Sequence, residues 1–339
     1  MFKQLARCAL VALALSPGAA RAEPINLTLA YFSSDRTLTY LAAIKPFVDA
    51  VNKEAAEALR IDVAFSGALG KNPAEQLQLV LDGKADLAFV IPGYTPERFP
   101  DNAVMELPGL FGGVREATLV YTGLIAADAL RGDKELFVIG AFATEPETIH
   151  VRPPAATLEA LKGTRIRSNN QVQGAALERL GMAAVQMPIN QASSAISNGE
   201  LDGATAAPAT LIEFGIARVT PNHYLLGVSS APLLVVMSRE KFDGLPDQMQ
   251  RIIRKFSGVW IAERYIEASL RENANAVSSL EQDPGRVVVV PSPTDLDHAR
   301  AVFTSEVETW RAADLGHGRL LGRVQAELDA VRANALRLQ

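Results

Sequence analysis

The sequence predicts a bilobal α/β fold, with two similar lobes that face a cleft. Strand-like and helix-like segments alternate in the first half of the chain and again after residue 160. In both halves a short G-x-x-D sequence, at residues 83–86 and 199–202, closes a helix and opens a strand. Alternating β and α segments are typical of a mostly parallel sheet covered by helices. Two copies of such a unit indicate two lobes, and clefts between lobes are common sites for small ligands.

The first lobe is predicted in the order strand, helix, strand, helix, strand. The first strand covers residues 25–31, and a helix follows over 41–60, where apolar residues recur at helical spacing. Apolar and polar residues then alternate over 61–65, which predicts a second strand. Asn72 is expected to cap the next helix, which has a proline at its first position. The nearly continuous apolar run at 85–91 predicts a parallel strand buried on both faces.

The same order returns in the second lobe. A strand over residues 163–168, a helix over 171–181 and a strand over 183–188 are followed by a helix that Asn190 is expected to cap. The next strand covers residues 201–207. The repeated order supports two lobes of similar construction.

The last third of the chain is predicted to be mainly helical. The pattern over residues 246–282 is helical almost throughout, and roughly 35 residues at 1.5 Å each span about 52 Å. We expect this helix to cross both lobes, with Gly258 as a bend. A strand over 286–291 and two amphipathic helices follow.

These segments give the predicted domain boundaries. The first lobe covers residues 23–147 together with part of 237–275. The second lobe covers residues 148–236. The remaining residues, 276–339, are expected to pack across both lobes.

The N-terminus has the pattern of a secretory signal peptide. Lys3 and Arg7 precede an apolar stretch at residues 8–15, and small residues flank Arg21 where cleavage occurs. The apolar stretch is too short to span a bilayer. We therefore predict a cleavable signal over residues 1–22 and a periplasmic location.

The mature composition excludes several classes of partner and cofactor. Cleavage leaves 317 residues (339 − 22) without a cysteine, because the only one is Cys8. Three basic residues are lost, so 30 basic residues face 38 acidic ones and the net charge changes from −5 to −8. Such a surface argues against nucleic-acid and anionic-membrane partners. Thiol chemistry is excluded, and we expect no cofactor.

Motifs for catalysis and metal binding are missing from the sequence. None of the four histidines stands in H-E-x-x-H or a similar metal spacing, and no G-x-S-x-G sequence is present. Gly70 and Lys71 lack the flanking residues of a phosphate-binding loop. Together with export and two lobes, this favours a receptor over an enzyme, with no catalytic or metal residues.

Two arginines end the predicted strand at 163–168. Arg165 and Arg167 lie on the same side of a strand, where two like charges are costly without an acidic partner. Arg167 is nearer the carboxyl end, where open α/β sheets bind ligands. A guanidinium in a partly desolvated cleft pairs well with a carboxylate. We therefore predict Arg167 as the anchor for a ligand carboxylate and Arg165 as a structural residue.

At these motifs the chain resembles a known family, the periplasmic solute-binding subunits of tripartite ATP-independent periplasmic (TRAP) transporters, of the dicarboxylate-binding DctP type. The matching segments lie in family order along the mature chain and read ALG, DGKADLAF, ELPGLF, LKGTRIR, LGMAAVQMP, ISNGELDG and FDGLPDQ. Residues 92–100 further resemble a subgroup with P-G-Y-T-P-x-R-F-P.

The resemblance implies a fold like that of periplasmic binding proteins, with two α/β domains joined by hinge strands and by a long helix that spans both lobes. It implies closure around an organic acid, which the small and large TRAP membrane subunits then receive, and a monomeric receptor. The arginine of the K-I-R-like triplet, here Arg167, is implied to form the salt bridge with the ligand carboxylate.

The sequence departs from the family where the pocket faces Arg167. Residues 204–208 read ATAAP instead of a Q-E-N-P-like sequence, and Ser238 stands where an asparagine is common. A monocarboxylate with an apolar or aromatic body therefore fits better than a C4-dicarboxylate or sialic acid, stacked near Tyr94 or Phe32. The other candidate ligand-binding residues are Asn169, Asn170, Gly93, Thr205, Ala207, Glu145 and Thr148.

Two alternatives stay open at this point. Bilobal receptors of other bacterial uptake systems share this architecture. A periplasmic enzyme acting on a carboxylic acid is the other alternative, using Asp202 or Glu145 with His150. Turnover of a bound acid distinguishes the enzyme from either receptor.

Overall fold

The computed structural model describes residues 23–132 and 134–337. The predicted signal peptide at residues 1–22 lies outside the described residues. Within the described part of the chain, no helix combines the length and the apolar character needed to cross a membrane.

The chain forms eleven strands and eleven α-helices within the described residues. The first part contains β1 (Ile25–Ala30), α1 (Lys45–Ala55), β2 (Leu59–Ala64), α2 (Gln76–Leu81), β3 (Leu87–Val90), α3 (Val114–Ala126) and β4 (Leu136–Ala143). The second part contains β5 (Thr148–Val151), β6 (Arg165–Ser168), α4 (Gln171–Arg179), β7 (Ala183–Gln186), α5 (Ile189–Ser197), β8 (Gly203–Ala206), α6 (Pro208–Glu213) and β9 (Asn222–Tyr224). The last part contains β10 (Pro232–Ser238), α7 (Arg239–Asp243), α8 (Asp247–Lys255), α9 (Val259–Gln282), β11 (Val287–Val289), α10 (Pro293–Ala313) and α11 (His317–Arg337).

Each lobe is built on one mixed sheet. The first lobe has the strand order β2-β1-β3-β10-β4, in which β10 is antiparallel to β3 and β4. The second lobe has the order β11-β9-β5-β8-β6-β7, in which β5 is antiparallel to β8 and β9. The remaining pairs are parallel. The predicted bilobal α/β fold is confirmed, and each sheet contains one antiparallel strand that the sequence pattern did not reveal.

The antiparallel strand β10 changes a predicted boundary. We expected the second lobe to run to residue 236, but β10 pairs along its length with β4 of the first lobe. Its apolar side chains are buried within that sheet. Residues 232–236 therefore belong to the first lobe, because an apolar strand is stabilised between two neighbours rather than at the surface.

Two segments cross between the lobes side by side. The Thr144 N–H donates to the carbonyl oxygen of Ala231 at 3.0 Å, and the Glu147 N–H donates to that of Ser229 at 2.8 Å. These bonds tie the connection from β4 to β5 to the connection that leads into β10. The paired crossover segments are where a hinge between the lobes has to bend.

The repeated G-x-x-D sequence forms the same structure in both lobes. The Asp86 N–H donates to the Thr28 carbonyl at 2.9 Å, and the Asp86 carboxylate accepts the Thr28 N–H at 2.8 Å. In the second lobe, Asp202 and Arg165 make the same two contacts at 2.8 and 2.9 Å. The glycines that open the two motifs have φ values of 68° and 78°, which favour glycine. The aspartate thus extends a parallel ladder by one residue where the next strand begins.

The two predicted helix caps differ in outcome. Asn72 accepts a hydrogen bond from the Ala74 N–H at 3.1 Å and starts a 3-10 turn ahead of α2, as predicted. Asn190 was expected to cap α5 but lies inside that helix. The Ile189 N–H donates instead to the Tyr94 hydroxyl at 2.9 Å, so a side chain of the other lobe satisfies this first-turn donor.

The predicted long helix is divided. α8 ends at Lys255 and α9 begins at Val259, because Gly258 has a φ of 61° and its N–H donates to Ile139 rather than continuing the helix. The 24 residues of α9 extend about 36 Å. It packs on α3 and β4 of the first lobe and on α6 and β11 of the second. The expected helix across both lobes is therefore α9 alone.

The C-terminal helices also contact both lobes. α10 packs on α4 of the second lobe, and α11 packs on α3 of the first. Apolar side chains fill the space between each sheet and its helices in both lobes.

Candidate functional site

A cavity lies between the two lobes. Its volume is about 60 Å³. Its lining comes from the first lobe, the second lobe and α9, and consists of Tyr31, Phe32, Ser33, Thr37, Leu38, Thr39, Phe89, Ile91, Tyr94, Thr144, Glu147, Arg167, Asn169, Ile189, Thr210, Glu213, Phe214, Ala231, Leu233 and Tyr265.

Arg167 is a fully buried cation in the wall of this cavity. β6 places it near the carboxyl end of the strand. Its Nε donates to the Met187 carbonyl at 2.9 Å, and its Nη1 donates to the Thr205 carbonyl at 3.1 Å. Its Nη2 donates to the Tyr94 hydroxyl at 3.1 Å and to the Asn169 Oδ1 at 2.9 Å. These four contacts fix the guanidinium group in one orientation.

The hydrogen bonds of Arg167 leave little donor capacity unused. A guanidinium has five N–H donors. Four of them are assigned to protein acceptors, which leaves one hydrogen on Nη1. A carboxylate in the cavity can accept a hydrogen bond from this N–H directly. For a two-pronged contact, Nη2 must also lose one of its protein acceptors and donate to the carboxylate instead.

Glu147 is a buried carboxyl beside the arginine. Its Oε2 lies 3.8 Å from the Arg167 Nη1 and accepts a hydrogen bond from the Gln173 Nε2 at 2.9 Å. Burial raises the pKa of the Glu147 carboxyl, and the positive charge of Arg167 acts in the opposite direction. The cavity thus contains an acidic group as well as its cation.

Tyr94 brings the first lobe into contact with this cation. The 3-10 turn Pro92–Tyr94 follows β3 and places the tyrosine hydroxyl between the Arg167 Nη2 and the Ile189 N–H. Burial raises the pKa of Tyr94, so the phenol stays neutral in the physiological range.

Aromatic rings form much of the remaining wall. Phe32 stacks on Phe89 with ring centroids 5.7 Å apart, and Tyr31 lies 5.3 Å from Phe89. Phe214 and Tyr265 also line the cavity. Such walls suit an apolar or aromatic ligand body, since contacts between rings add to the stabilisation from buried area.

Four of the ten candidate ligand-binding residues line the cavity, namely Arg167, Tyr94, Phe32 and Asn169. The Asn169 Oδ1 accepts from Arg167, whereas its Nδ2 is buried without a hydrogen-bond partner among the described residues. This Nδ2 group is a second donor next to the guanidinium.

Three other candidates support the site without lining it. Asn170 caps α4 by accepting the Gln173 N–H at 2.8 Å. Thr205 offers its carbonyl to Arg167, and its hydroxyl donates to the Gln173 Oε1 at 2.7 Å. A methyl group added to Gly93 would lie 2.3 Å from the Glu106 Oε1, so the buried Glu106 side chain would have to shift.

The last three candidates lie elsewhere. Ala207 is buried at the start of α6. Glu145 and Thr148 line a separate groove together with residues of α9. These three side chains do not line the cavity between the lobes, because the crossover segment turns Glu145 away from it and Glu147 into it.

Arg165 has the structural position that the strand pattern predicts. Its Nε and Nη2 donate to the Asp202 carboxylate at 3.2 and 3.1 Å, and Nη2 also donates to the Gly199 carbonyl at 2.9 Å. The side chain is exposed, in contrast to the buried Arg167. Each of the two arginines therefore has an acidic neighbour of its own.

Glu147, which lines the cavity, and Gln173, which donates a hydrogen bond to it, are not among the residues that the sequence predicts for the site. Glu147 lies two residues after Glu145, and the spacing alone gives no reason to prefer either. Gln173 stands three residues after Asn170, the position where a cap meets the helix backbone, and this spacing is a usable signal. Tyr265 lies in the segment predicted as a long helix, and Glu213 lies in a segment for which the sequence predicts no element.

The proposed catalytic groups of an enzyme do not converge. Asp202 pairs with Arg165, while His150 is buried with its Nδ1 at 2.9 Å from the Nδ1 of His223. Among the described residues, no cluster of three or more His, Cys, Asp or Glu side chains is arranged to hold a metal ion.

Comparisons with known proteins point to one family. The model of the DctP family, described as bacterial extracellular solute-binding protein, family 7, matches residues 29–313. A solute-binding protein of Verminephrobacter eiseniae is 26% identical over 286 residues, which cover 80% of this chain and 84% of that protein.

Two solved structures share the fold. A TRAP solute-binding protein from Rhodoferax ferrireducens T118, in complex with copurified benzoate, has a TM-score of 0.82 at 22% identity and covers 92% of this chain and 99% of its own. A sugar acid binding protein from Advenella mimigardefordensis, in complex with galactonate, has a TM-score of 0.78 at 21% identity, with coverages of 92% and 99%. The family match extends over most of the chain, and it makes this protein a solute-binding receptor rather than an enzyme: the chain belongs to family 7 of the bacterial extracellular solute-binding proteins, the DctP family.

Proposed function

We propose that this protein is the periplasmic receptor of a TRAP transporter and that it captures a small organic acid, with an aromatic or apolar monocarboxylate as the favoured class. The observation that carries the proposal is Arg167, a fully buried cation in the wall of a cavity between two lobes. A buried charge is costly unless it has a charged partner and hydrogen bonds.

The donors around Arg167 suit a carboxylate. Nη1 has one hydrogen without a protein acceptor, and the Nδ2 of Asn169 is buried without a partner. Charge-assisted hydrogen bonds from a guanidinium are about twice as strong as neutral ones. We infer that the ligand carboxylate accepts from both groups.

The cavity walls favour a ligand with an aromatic or apolar body. Phe32, Phe89 and Tyr31 form a continuous aromatic surface, and the cavity is small. Of the two acids bound by the related structures, benzoate fits such walls better than the polyhydroxylated galactonate.

Delivery of the ligand completes the proposed function. After removal of residues 1–22 the receptor works in the periplasm as a monomer. Contacts such as Tyr94 with Arg167 join the two lobes around the cavity. The small and large membrane subunits of the transporter then receive the acid from the closed receptor.

A thermal-shift screen tests the proposal. The panel consists of benzoate, 3-hydroxybenzoate, mandelate, lactate, succinate and galactonate. A ligand present at 100 times its dissociation constant stabilises the folded state by about 2.7 kcal/mol, which raises the melting temperature by several degrees. We expect the aromatic monocarboxylates to give the largest shifts. No shift with any acid contradicts the receptor function, and a larger shift with succinate or galactonate contradicts the ligand class.

A further inference from the structure

Arg167 has a buried acidic neighbour within the protein itself. The Oε2 of Glu147 lies 3.8 Å from the Arg167 Nη1, and both side chains are almost completely buried. This distance is too long for a hydrogen bond, and the carboxyl is held by the Gln173 Nε2 at 2.9 Å instead. Gln173 in turn donates to the Ser229 hydroxyl at 3.1 Å, which belongs to the second crossover segment. Glu147 is thus fixed beside the cation by the hinge and by α4.

The other titratable groups around Glu147 do not balance a second negative charge. Glu106 and Tyr94 face it from the first lobe, and Arg167 is the cation that acts on it among the described residues. Burial, and then the charge of Glu147, raise the pKa of Glu106 well above its ordinary range, so Glu106 favours its neutral form over a second buried negative charge. Tyr94 is neutral as well. With Glu147 ionised, the buried cluster contains one cation and one carboxylate.

A bound acid changes this balance. A ligand carboxylate at Arg167 would place two negative charges on one buried cation. Like charges that share a site cannot both stay ionised at low cost, so one of them takes up a proton. The ligand meets the donors of Arg167 and Asn169 directly, whereas Glu147 lies beyond hydrogen-bond distance of the guanidinium. The negative charge of Glu147 is therefore stabilised less by Arg167 than that of the ligand, and Glu147 is the carboxyl that takes up the proton at lower cost.

We propose that Glu147 is the counter-ion of Arg167 in the ligand-free receptor, and that the ligand carboxylate takes over this role while Glu147 accepts one proton from the solvent. The inference rests on the proposed capture of a carboxylate. One O–H bond forms on Glu147, the ligand stays a carboxylate, and the buffer supplies the proton. The net charge of the buried cluster is the same before and after binding.

Proton uptake has a measurable consequence for affinity. Where Glu147 is ionised in the ligand-free receptor, each added pH unit makes its protonation ten times less favourable. The affinity for the acid should therefore fall about tenfold per pH unit in this range. At lower pH, where Glu147 is already protonated, the affinity should be constant.

Titration calorimetry tests the proposal directly. The probe is the acid with the largest shift in the panel above, titrated between about pH 5.5 and about pH 9 in buffers of different ionisation enthalpy. The dependence of the binding heat on the buffer gives the number of protons taken up. We expect a value that approaches one proton per acid at the alkaline end, together with the tenfold loss of affinity per pH unit.

Two variants form a matched pair. Glu147→Gln keeps the shape of the side chain without its charge, so we expect no proton uptake, constant affinity over the pH range, and tighter binding than wild type at alkaline pH. Glu145→Gln changes the acidic residue two positions away, which lies in the separate groove. It should show the wild-type proton uptake.

The outcomes separate the two proposals. Acid binding by wild type without proton uptake at any pH, or uptake that persists in Glu147→Gln, overturns the inference and leaves the receptor function intact. A protein that binds none of the acids contradicts the receptor function itself. Should Glu147→Gln fail to fold, infrared difference spectra of wild type with the acid decide. A new protonated-carboxyl band on binding supports the inference, and its absence overturns it.

Discussion

The hydroxyl of Tyr94 and the Nη2 of Arg167 lie 3.1 Å apart, and this contact joins the first lobe to the second at the wall of the cavity. The same hydroxyl accepts the Ile189 N–H at the start of α5. One side chain of the first lobe thus contacts both the cation and a helix terminus of the second. Closure of the lobes and the orientation of the cation are therefore coupled through Tyr94.

Replacing Tyr94 with phenylalanine should weaken ligand binding by roughly ten- to a hundredfold. The ring stays, but a hydrogen bond to a charged group is lost, which costs about 1.5–3 kcal/mol. Calorimetry with the identified acid and a melting curve of the free protein measure the two effects. Tyr40→Phe is the control, because the Tyr40 ring packs on Phe65 and does not line the cavity. A lower melting temperature with unchanged affinity would make Tyr94 a purely structural residue.

Ligand binding should close the two lobes. Contacts from both lobes to the ligand stabilise only the closed arrangement, so the acid shifts the population toward it. Small-angle scattering should give a smaller radius of gyration with saturating acid than without it. An unchanged radius at saturation would count against a hinged receptor.

Gly93→Ala should destabilise the protein by about 1–3 kcal/mol and weaken binding, because an added methyl overpacks the turn before Tyr94. The new Cβ would lie 2.3 Å from the buried Glu106 Oε1 and 3.3 Å from the Asn170 Cβ of the second lobe. Gly322→Ala is the matched control, since its Cβ meets nothing within 4 Å inside α11. That change should stabilise the helix by about 0.5–1 kcal/mol. Equal melting temperatures for the two variants would refute the packing argument.

The buried histidine pair should make the protein less stable in acid. Burial lowers the pKa of His150 to about 3 and that of His223 to about 4, while an unfolded histidine has a pKa of about 6.5. Below about pH 6.5 the unfolded chain takes up protons that the folded chain does not. The free energy of unfolding should therefore fall between about pH 6.5 and pH 3, by up to about 1.4 kcal/mol per pH unit for each histidine.

Urea unfolding at a series of pH values measures this effect in wild type and in His150→Gln. The variant should show a smaller slope of unfolding free energy against pH, whatever its stability at neutral pH. Identical slopes would show that the pair does not titrate on unfolding.

Local signals in the sequence predicted much of the fold. The G-x-x-D repeat marks a real structural repeat, because the aspartate extends the parallel ladder in both lobes. The position of Arg167 near the end of β6 predicted its place at the cleft. Arg165 likewise follows from its place at the start of the strand, where Asp202 is its partner.

The remaining features depend on contacts between distant segments. The positions of Glu145 and Glu147 in the sequence give no reason to prefer one of them as the neighbour of Arg167. Only the path of the crossover segment decides that Glu147 faces the arginine. The N-terminus of α5 needs no side-chain cap because Tyr94, far away in sequence, supplies the acceptor. The return of β10 to the first sheet is likewise set by strands of the other half of the chain.

Titration calorimetry on Arg167→Ala, Arg167→Lys and Arg165→Ala tests the central claim most directly. Loss of a buried ion-pair partner costs about 3–5 kcal/mol, so Arg167→Ala should lose roughly two to three and a half decades of affinity for the identified acid. Arg167→Lys should recover only part, because an ammonium cannot reproduce the fixed fork of the guanidinium. Arg165→Ala should bind almost like wild type. Equal losses from the two alanine variants, or wild-type affinity in Arg167→Lys, would contradict the assignment of Arg167 as the carboxylate anchor.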